Sequence, residues 1–262
     1  MSESVLFSVD ERGVATVTLN RPEKHNAFDD ALIAELSATF DNIAADDNIR
    51  AMILASEGKS FCAGADLNWM RRMAEYGYEE NLADANALAD MLWKLNFMPK
   101  PTIARVQGAA FGGAVGLVAC CDMAIGSKLS KFCLSEVKLG LVPATISPYV
   151  IDAIGARLSR RYFTTAEVFS SQQAYEMGLL SESVTEEELD GKINDLIEKI
   201  LKNGPVAVGA AKQLIFDVAN RPMNKDIAEQ TSQCIANIRV SAEGQEGLHA
   251  FLEKRAPNWH KD

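Results

Sequence analysis

The sequence predicts an α/β fold with mostly parallel strands. Ala51–Ser56 is a short, nearly continuous apolar run, as expected of a strand covered on both faces, and Thr102–Val106 and Met123–Ser127 read as further strands. Segments with helical spacing of apolar residues lie between these runs, and Pro and Gly mark the joins. Strand–helix alternation of this kind builds a largely parallel sheet with helices packed on it.

Taken in order, Val5–Asp10 and Val14–Asn20 alternate with period two around Glu11-Arg12-Gly13, which predicts a β-hairpin. Pro22 breaks the second strand, because it cannot donate to a ladder. Leu32, Ile33, Leu36, Phe40 and Ile43 then recur at helical spacing behind Asp29 and Asp30, acids suited to a helix start. Ala51–Ser56 follows as a buried strand, and the loop Glu57–Asp66 leads into a helical region whose second stretch, near Leu82–Phe97, is ended by Pro99 and Pro101. After the strand Thr102–Val106, the run Gly108–Cys121 reads as a turn plus a buried helix. That run is uncharged, but it falls short of the ~20 residues that a membrane span needs. Beyond Asn203 strand-like runs cease. Three amphipathic segments, around Ala207–Val218, Ile227–Val240 and Gly244–Lys254, predict an all-helical tail too small to bury a core of its own.

Composition narrows the function classes. The chain has 262 residues, 48% hydrophobic and 24% charged, which is the profile of an ordinary globular protein rather than a disordered or fibrous one. A net charge of −10 argues against non-specific nucleic-acid binding, which requires clustered cations, but leaves room for an anionic small ligand held locally. The five cysteines form no C-x-x-C pair, so no zinc ribbon or dithiol motif is present, and no metal site is expected. The charged start MSESVLFSVDERG does not resemble a signal peptide; the expectation is a cytoplasmic, reduced protein with no membrane partner.

Familiar catalytic motifs are missing: G-x-S-x-G, H-E-x-x-H, an EF-hand loop and a complete P-loop do not occur, and His25, His249 and His260 lack ligand spacing. Two loops share a feature of interest. Phe61–Asp66 (FCAGAD) and Gly108–Gly113 (GAAFGG) each precede a predicted helix and consist largely of small residues. Backbone N–H groups at such helix starts approach a ligand closely, and the helix dipole favours negative charge there. Side by side, the two loops can aim two donors at one carbonyl oxygen, an oxyanion hole in which each donor contributes about 3–4 kcal/mol to the transition state. The competing reading is that the glycines only permit tight turns and close packing. A third segment, Phe132–Glu136 (FCLSE), places a carboxylate after an apolar run. Either it is solvated at a strand end or it is a partly buried general base.

Together and in this order, these segments resemble the crotonase (enoyl-CoA hydratase/isomerase) superfamily. The similarity runs from Asn20–Ala27 (NRPEKHNA) through Phe61–Leu67, Gly108–Asp122, Phe132–Pro143 and Ala174–Leu179 to Phe251–Arg255. The resemblance implies a ββα spiral core over residues 1–200 and a C-terminal helical oligomerisation region over 201–262 that builds a homotrimer or a dimer of trimers. It also implies an acyl-CoA thioester as substrate, with coenzyme A part of that substrate and no separate cofactor. The oxyanion-hole donors would be the N–H groups of Ala65 and Gly113, and Glu136 the catalytic acid–base. Lys24, Ala27, Ala63, Asp66 and Leu67 match positions near coenzyme A, and Phe251 and Lys254 match positions that in relatives reach a neighbour's coenzyme.

One departure bears on the reaction. Hydratases of this superfamily carry two glutamates; the later one matches Glu136, but the earlier falls on Gly116. A single carboxylate still suffices for hydration if Glu136 takes the proton from water and returns it to the α carbon, and it equally suffices for shifting a double bond. The segments Ala65–Met70, Gly112–Ser127 and Ile146–Tyr149 further resemble bacterial methylglutaconyl-CoA hydratases of leucine breakdown and γ-carboxygeranoyl-CoA hydratases. Their substrates bear a second carboxylate, for which Arg71, Arg72 and Lys138 are the candidate cations. The rival expectations are a double-bond isomerase, a coenzyme A binder without catalysis, and an RNA-binding homologue using the basic cluster Arg157, Arg160 and Arg161.

Overall fold

The N-terminal hairpin forms as expected: β1 (Val5–Val9) pairs antiparallel with β2 (Val14–Leu19), Val5 opposite Leu19, in a computed structural model that describes residues 3–260. A 3-10 turn at Pro22–Lys24 leads to α1 (Asp30–Ala45), whose first turn is capped by the Asp29 carboxylate accepting from the Leu32 N–H. The chain continues through β3 (Ala51–Ser56), α2 (Leu67–Glu75), α3 (Tyr78–Asn96), β4 (Thr102–Val106), β5 (Ala109–Phe111), α4 (Gly113–Cys120), β6 (Met123–Ser127) and β7 (Lys131–Cys133). After a second 3-10 turn, Glu136–Leu139, come α5 (Ser147–Thr165), β8 (Phe169–Ser170), α6 (Ser171–Met177), β9 (Glu182–Val184) and α7 (Leu189–Leu201). Three helices end the chain: α8 (Pro205–Val218), α9 (Lys225–Val240) and α10 (Ala242–Glu253).

The main sheet runs β1-β2-β3-β4-β6-β9, parallel except for the hairpin at one edge. Its two faces explain why β3 reads as a continuous apolar run. Met52 and Leu54 point into the larger core with Leu32, Leu36 and Phe40 of α1 and with Met91 and Leu95 of α3, while Ala51 joins Ile103, Ile125, Ile193 and Ile197 on the other face, under α7. With a hydrophobic layer on each side, period-two alternation of polarity has no solvent face to express.

A second, three-stranded sheet has the order β5-β7-β8. Its first member corrects the expectation of a simple turn before α4: Ala109–Phe111 is a strand, too short for its periodicity to register in sequence. The N-terminal half of α5 is interrupted at Gly155 (φ 76°, ψ 155°), so the helix is two segments joined by a kink.

The three C-terminal helices bury almost nothing within the chain. Among the described residues α8 and α9 contain no buried side chain, and α10 contributes only Ala250. Two polar contacts fix α8 in place. Lys212 pairs with Asp122 at 2.8 Å, and the Glu243 carboxylate accepts from the Val206 and Ala207 N–H groups at the start of α8. No helix among the described residues is long and apolar enough to cross a membrane.

Candidate active site

The small sheet is what brings the three sequence segments together. Cys62 bridges in parallel to Ala110 of β5, and β5 pairs in parallel with β7, Ala110 opposite Phe132. Counting forward along these three aligned strands, the chain reaches Ala65, Gly113 and Glu136 at the same, carboxyl end. Ligands of α/β proteins bind at the carboxyl ends of parallel strands, where loops and helix N-termini converge.

Each strand delivers its group differently. The first loop closes over Phe28: the Phe28 N–H donates to the Gly64 carbonyl at 2.7 Å and the Asp66 N–H to the Phe28 carbonyl at 2.6 Å. These two bonds straddle Ala65, whose own N–H donates to no protein acceptor among the described residues. The second loop turns at Gly112, where φ 56° and ψ −125° suit glycine alone, and its N–H donates to the Cys133 carbonyl. That turn starts α4 at Gly113, whose N–H likewise meets no protein acceptor. The loops touch: a β-carbon on Gly64 would lie 3.4 Å from the Phe111 carbonyl oxygen.

Glu136 sits over this turn. A β-carbon on Gly112 would lie 3.3 Å from Glu136 Oε1, a tight contact, while the backbone conformation is what calls for glycine. Glu136 Oε2 is buried with no hydrogen-bond partner. Burial pushes the Glu136 carboxyl above the ordinary glutamate range. A buried carboxylate oxygen without a partner is costly in a folded protein and marks a group held ready for something other than structure.

The residues expected near coenzyme A divide into two groups. Lys24, Ala27, Ala63, Asp66 and Leu67 cluster beside Ala65, because the turn after β2 is stitched to the loop by the Ala63 N–H donating to the His25 carbonyl at 3.0 Å. Lys24, Ala63 and Leu67 are exposed and Ala27 is buried. Asp66 is committed inside the chain: Oδ1 accepts from the Asn68 and Trp69 N–H groups, capping α2, while Oδ2 pairs with Lys24 at 3.1 Å and Arg21 at 3.5 Å. Burial pushes its carboxyl up, but those donors, Asn68 and Lys24 foremost, outweigh burial and hold it below the usual range. Phe251 and Lys254 stand apart. Phe251 is 82% exposed on α10, which packs on α8 and α9, and no hydrogen bond or ion pair among the described residues joins either residue to the three loops.

Of the three candidate cations, Arg72 is paired with Asp30 and Arg71 donates to Asn68. Lys138, two residues from Glu136, has no ion pair among the described residues. Arg157, Arg160 and Arg161 are exposed on α5, and Arg161 is paired with Glu167. The two large surface grooves, about 530 and 600 Å³, are lined by other residues and include neither loop glycine nor Glu136. No His/Cys/Asp/Glu group among the described residues is arranged to hold a metal ion.

The sequence pattern of the enoyl-CoA hydratase/isomerase family matches residues 10–262. The chain belongs to that family. It is 30% identical over 261 residues to a 2,3-dehydroadipyl-CoA hydratase of Escherichia coli, covering 99% of each chain. It is 32% identical over 266 residues to a 1,2-epoxyphenylacetyl-CoA isomerase of the same organism, again covering 99% of each. A crystal structure of an enoyl-CoA hydratase from Shewanella pealeana superposes with a TM-score of 0.95 at 45% identity, covering 98% of this chain and 96% of that one. The protein is thus an enzyme of the enoyl-CoA hydratase/isomerase family with that family's fold. Because one of these relatives is named a hydratase and the other an isomerase, membership leaves the reaction open.

Sequence reasoning named Ala65, Gly113 and Glu136 and the Gly108–Gly113 loop as a whole, but gave no part to Phe28 or Asn26. Asn26 is fully buried, accepts from the Arg21 N–H and donates to the Glu57 and Ser60 carbonyls, so it ties the Arg21–Ala27 turn to the loop after β3. An Asn soon after Pro22 was the available signal, since Asn tolerates the left-handed backbone that it adopts here (φ 56°).

Proposed function

We propose that the protein adds water across the α,β double bond of an acyl-CoA thioester, with Glu136 as its one catalytic carboxylate. The observation that carries this reading is the buried, unpartnered Oε2 of Glu136, beside a turn that presents the unpaired N–H of Gly113. The thioester oxygen takes hydrogen bonds from the Ala65 and Gly113 N–H groups, which stabilise the enolate more than the ground state. Water oxygen bonds to the β carbon while its proton passes to Glu136. Glu136 then returns a proton to the α carbon as the enolate collapses, so the carboxylate is regenerated and the sum is one water added. Exposed Lys24, Ala63 and Leu67 line the approach for the coenzyme, and Phe251 and Lys254 serve a neighbouring subunit's site in a trimer or a dimer of trimers.

The acyl group we propose is methylglutaconyl, placing the enzyme in leucine breakdown. Support comes from Lys138, the one candidate cation of the three whose side chain has neither an ion pair nor a hydrogen bond among the described residues, on the same 3-10 turn as Glu136 and free to meet a distal carboxylate. The second reading, a double-bond isomerase, is favoured by the lack of a side chain at Gly116, since one carboxylate can move a proton along the acyl chain.

Incubation with methylglutaconyl-CoA, crotonyl-CoA and a β,γ-enoyl-CoA separates the readings. Hydration yields a 3-hydroxyacyl product and isomerisation only a shifted double bond. Glu136→Gln is expected to lower kcat/KM by about 100-fold or more, the usual effect of losing a general acid–base. Near-normal turnover in that variant would sink the mechanism. Lys138→Ala should raise KM for methylglutaconyl-CoA while leaving crotonyl-CoA unaffected.

A further inference from the structure

Gly116 has no side chain, and the surrounding structure would not accept one. It lies on α4 one turn beyond the Gly112–Gly113 corner, the corner on which Glu136 rests. A β-carbon built on Gly116 would overlap Ile146 Cγ2, stand 2.8 Å from Ile146 Cβ and 3.6 Å from Leu92 Cδ2; contacts under 3.0 Å are essentially never made by real β-carbons. Ile146 cannot step aside. Its Cβ moves only with the backbone, its β-branched side chain is rotationally stiff, and it is 1% exposed at the start of α5. The segment that carries it packs on the 3-10 turn of Glu136, with the Leu141 N–H donating to the Glu136 carbonyl at 3.1 Å.

We infer that Ile146 is a specificity-determining residue: its side chain fills the space into which a side chain at 116 would project, and so makes the site a one-carboxylate site. The inference rests on the proposed role of Glu136 for its chemical consequence, but its steric half does not. Glycine at 116 and isoleucine at 146 form an interlocked pair. A glutamate at 116 is barred until 146 is reduced, and the proton economy of the reaction is set by a residue that carries no charge.

The test is a set of substitutions read first without substrate. Gly116→Ala should lower Tm by about 5 °C, as overpacking of a rigid core does. Ile146→Gly should relieve that loss, so that the pair is more stable than the two single changes add up to. Ile146→Val, which keeps both Cβ and a γ-methyl, folds well and should relieve nothing. Equal stability of Gly116→Ala and the wild type, or relief by valine as good as by glycine, would overturn the interlock.

The second arm measures kcat/KM against pH with whichever enoyl-CoA the wild type hydrates. Wild type should show the ionisation of one carboxylate and Gly116→Glu/Ile146→Gly two, with Gly116→Glu alone poorly folded. A folded double variant that retains a single ionisation would show that Ile146 fills space without deciding the chemistry, and the inference would fail. Failure of the proposed reaction itself reads out separately, as absence of thioester turnover by the wild type or full activity of Glu136→Gln, whatever the Tm values show.

Discussion

Glu136 combines two features that oppose each other in most proteins: it is an acid, and its Oε2 is buried with no hydrogen-bond partner among the described residues. The folded state therefore raises its pKa, by burial. The sign for stability follows from linkage. A carboxyl whose folded pKa lies above its unfolded value contributes stability that is fully present below the unfolded value and is lost as pH rises through the folded one. Glu136→Gln removes the charge and keeps the shape. The variant is expected to melt above the wild type at about pH 8, with the gap closing toward about pH 4, where both side chains are neutral. Thermal scans across that range check it, and a Tm gap independent of pH would contradict the account. At this scale the sequence is informative about reactive groups and silent about their walls. The motif around Glu136 can be read from neighbours in the chain, whereas Ile146 reaches Gly116 only through folding.

The two loops proposed to form the oxyanion hole show how elements position groups that are not themselves in the elements. Ala65 is held by two flanking backbone bonds to Phe28 and by the start of α2, which Asp66 caps. The carboxylate of Asp66 thus acts on the site through the backbone of its neighbour, as a positioning group. Asp66→Ala removes the cap, worth about 0.5–2 kcal/mol in helices generally, and leaves Arg21 and Lys24 without a shared partner. Asp66→Asn keeps the cap and loses only the charge. We expect kcat/KM to fall about 10- to 100-fold in Asp66→Ala, the scale set by misplacement of an aligned group, and much less in Asp66→Asn. Steady-state kinetics on the folded fraction checks this; equal loss in both would assign the effect to charge instead. Most elements were legible in sequence because they are long or strongly patterned: the hairpin, α1 with its Asp29 cap, β3 and the three C-terminal helices. β5 was not, since three residues between Gly108 and Gly112 carry no periodicity, and its existence depends on pairing with Cys62 and β7.

As a whole, the molecule exposes more surface than a compact monomer of its mass is expected to. It exposes 14,223 Å², against about 11,000 Å² for a compact monomer of its 28.5 kDa. Exposed apolar side chains recur on α8–α10, where Ile215 (63%), Val240 (76%), Phe251 (82%) and Leu252 (74%) stand out of the core. An unpartnered apolar face of this kind is what the proposed assembly would cover. Light scattering is expected to find the protein as a trimer or a multiple of three, and Ile215→Asp with Leu252→Asp to shift it toward monomer with a lower Tm. A monomeric wild type would refute the assembly and, with it, the role given to Phe251 and Lys254.

The sequence by itself determined the fold class, from buried strands alternating with helices, and the family, from motifs in a fixed order; it was that resemblance that singled out Ala65, Gly113 and Glu136 within their loops. Tertiary structure alone decided that these three meet at one end of a small sheet, that the Asp66 carboxylate is turned inward to a helix cap and two cations, and that the space beside Gly116 is already filled. These are matters of volume and distance between segments far apart in the chain, and neither periodicity nor spacing records which side chain another will press against.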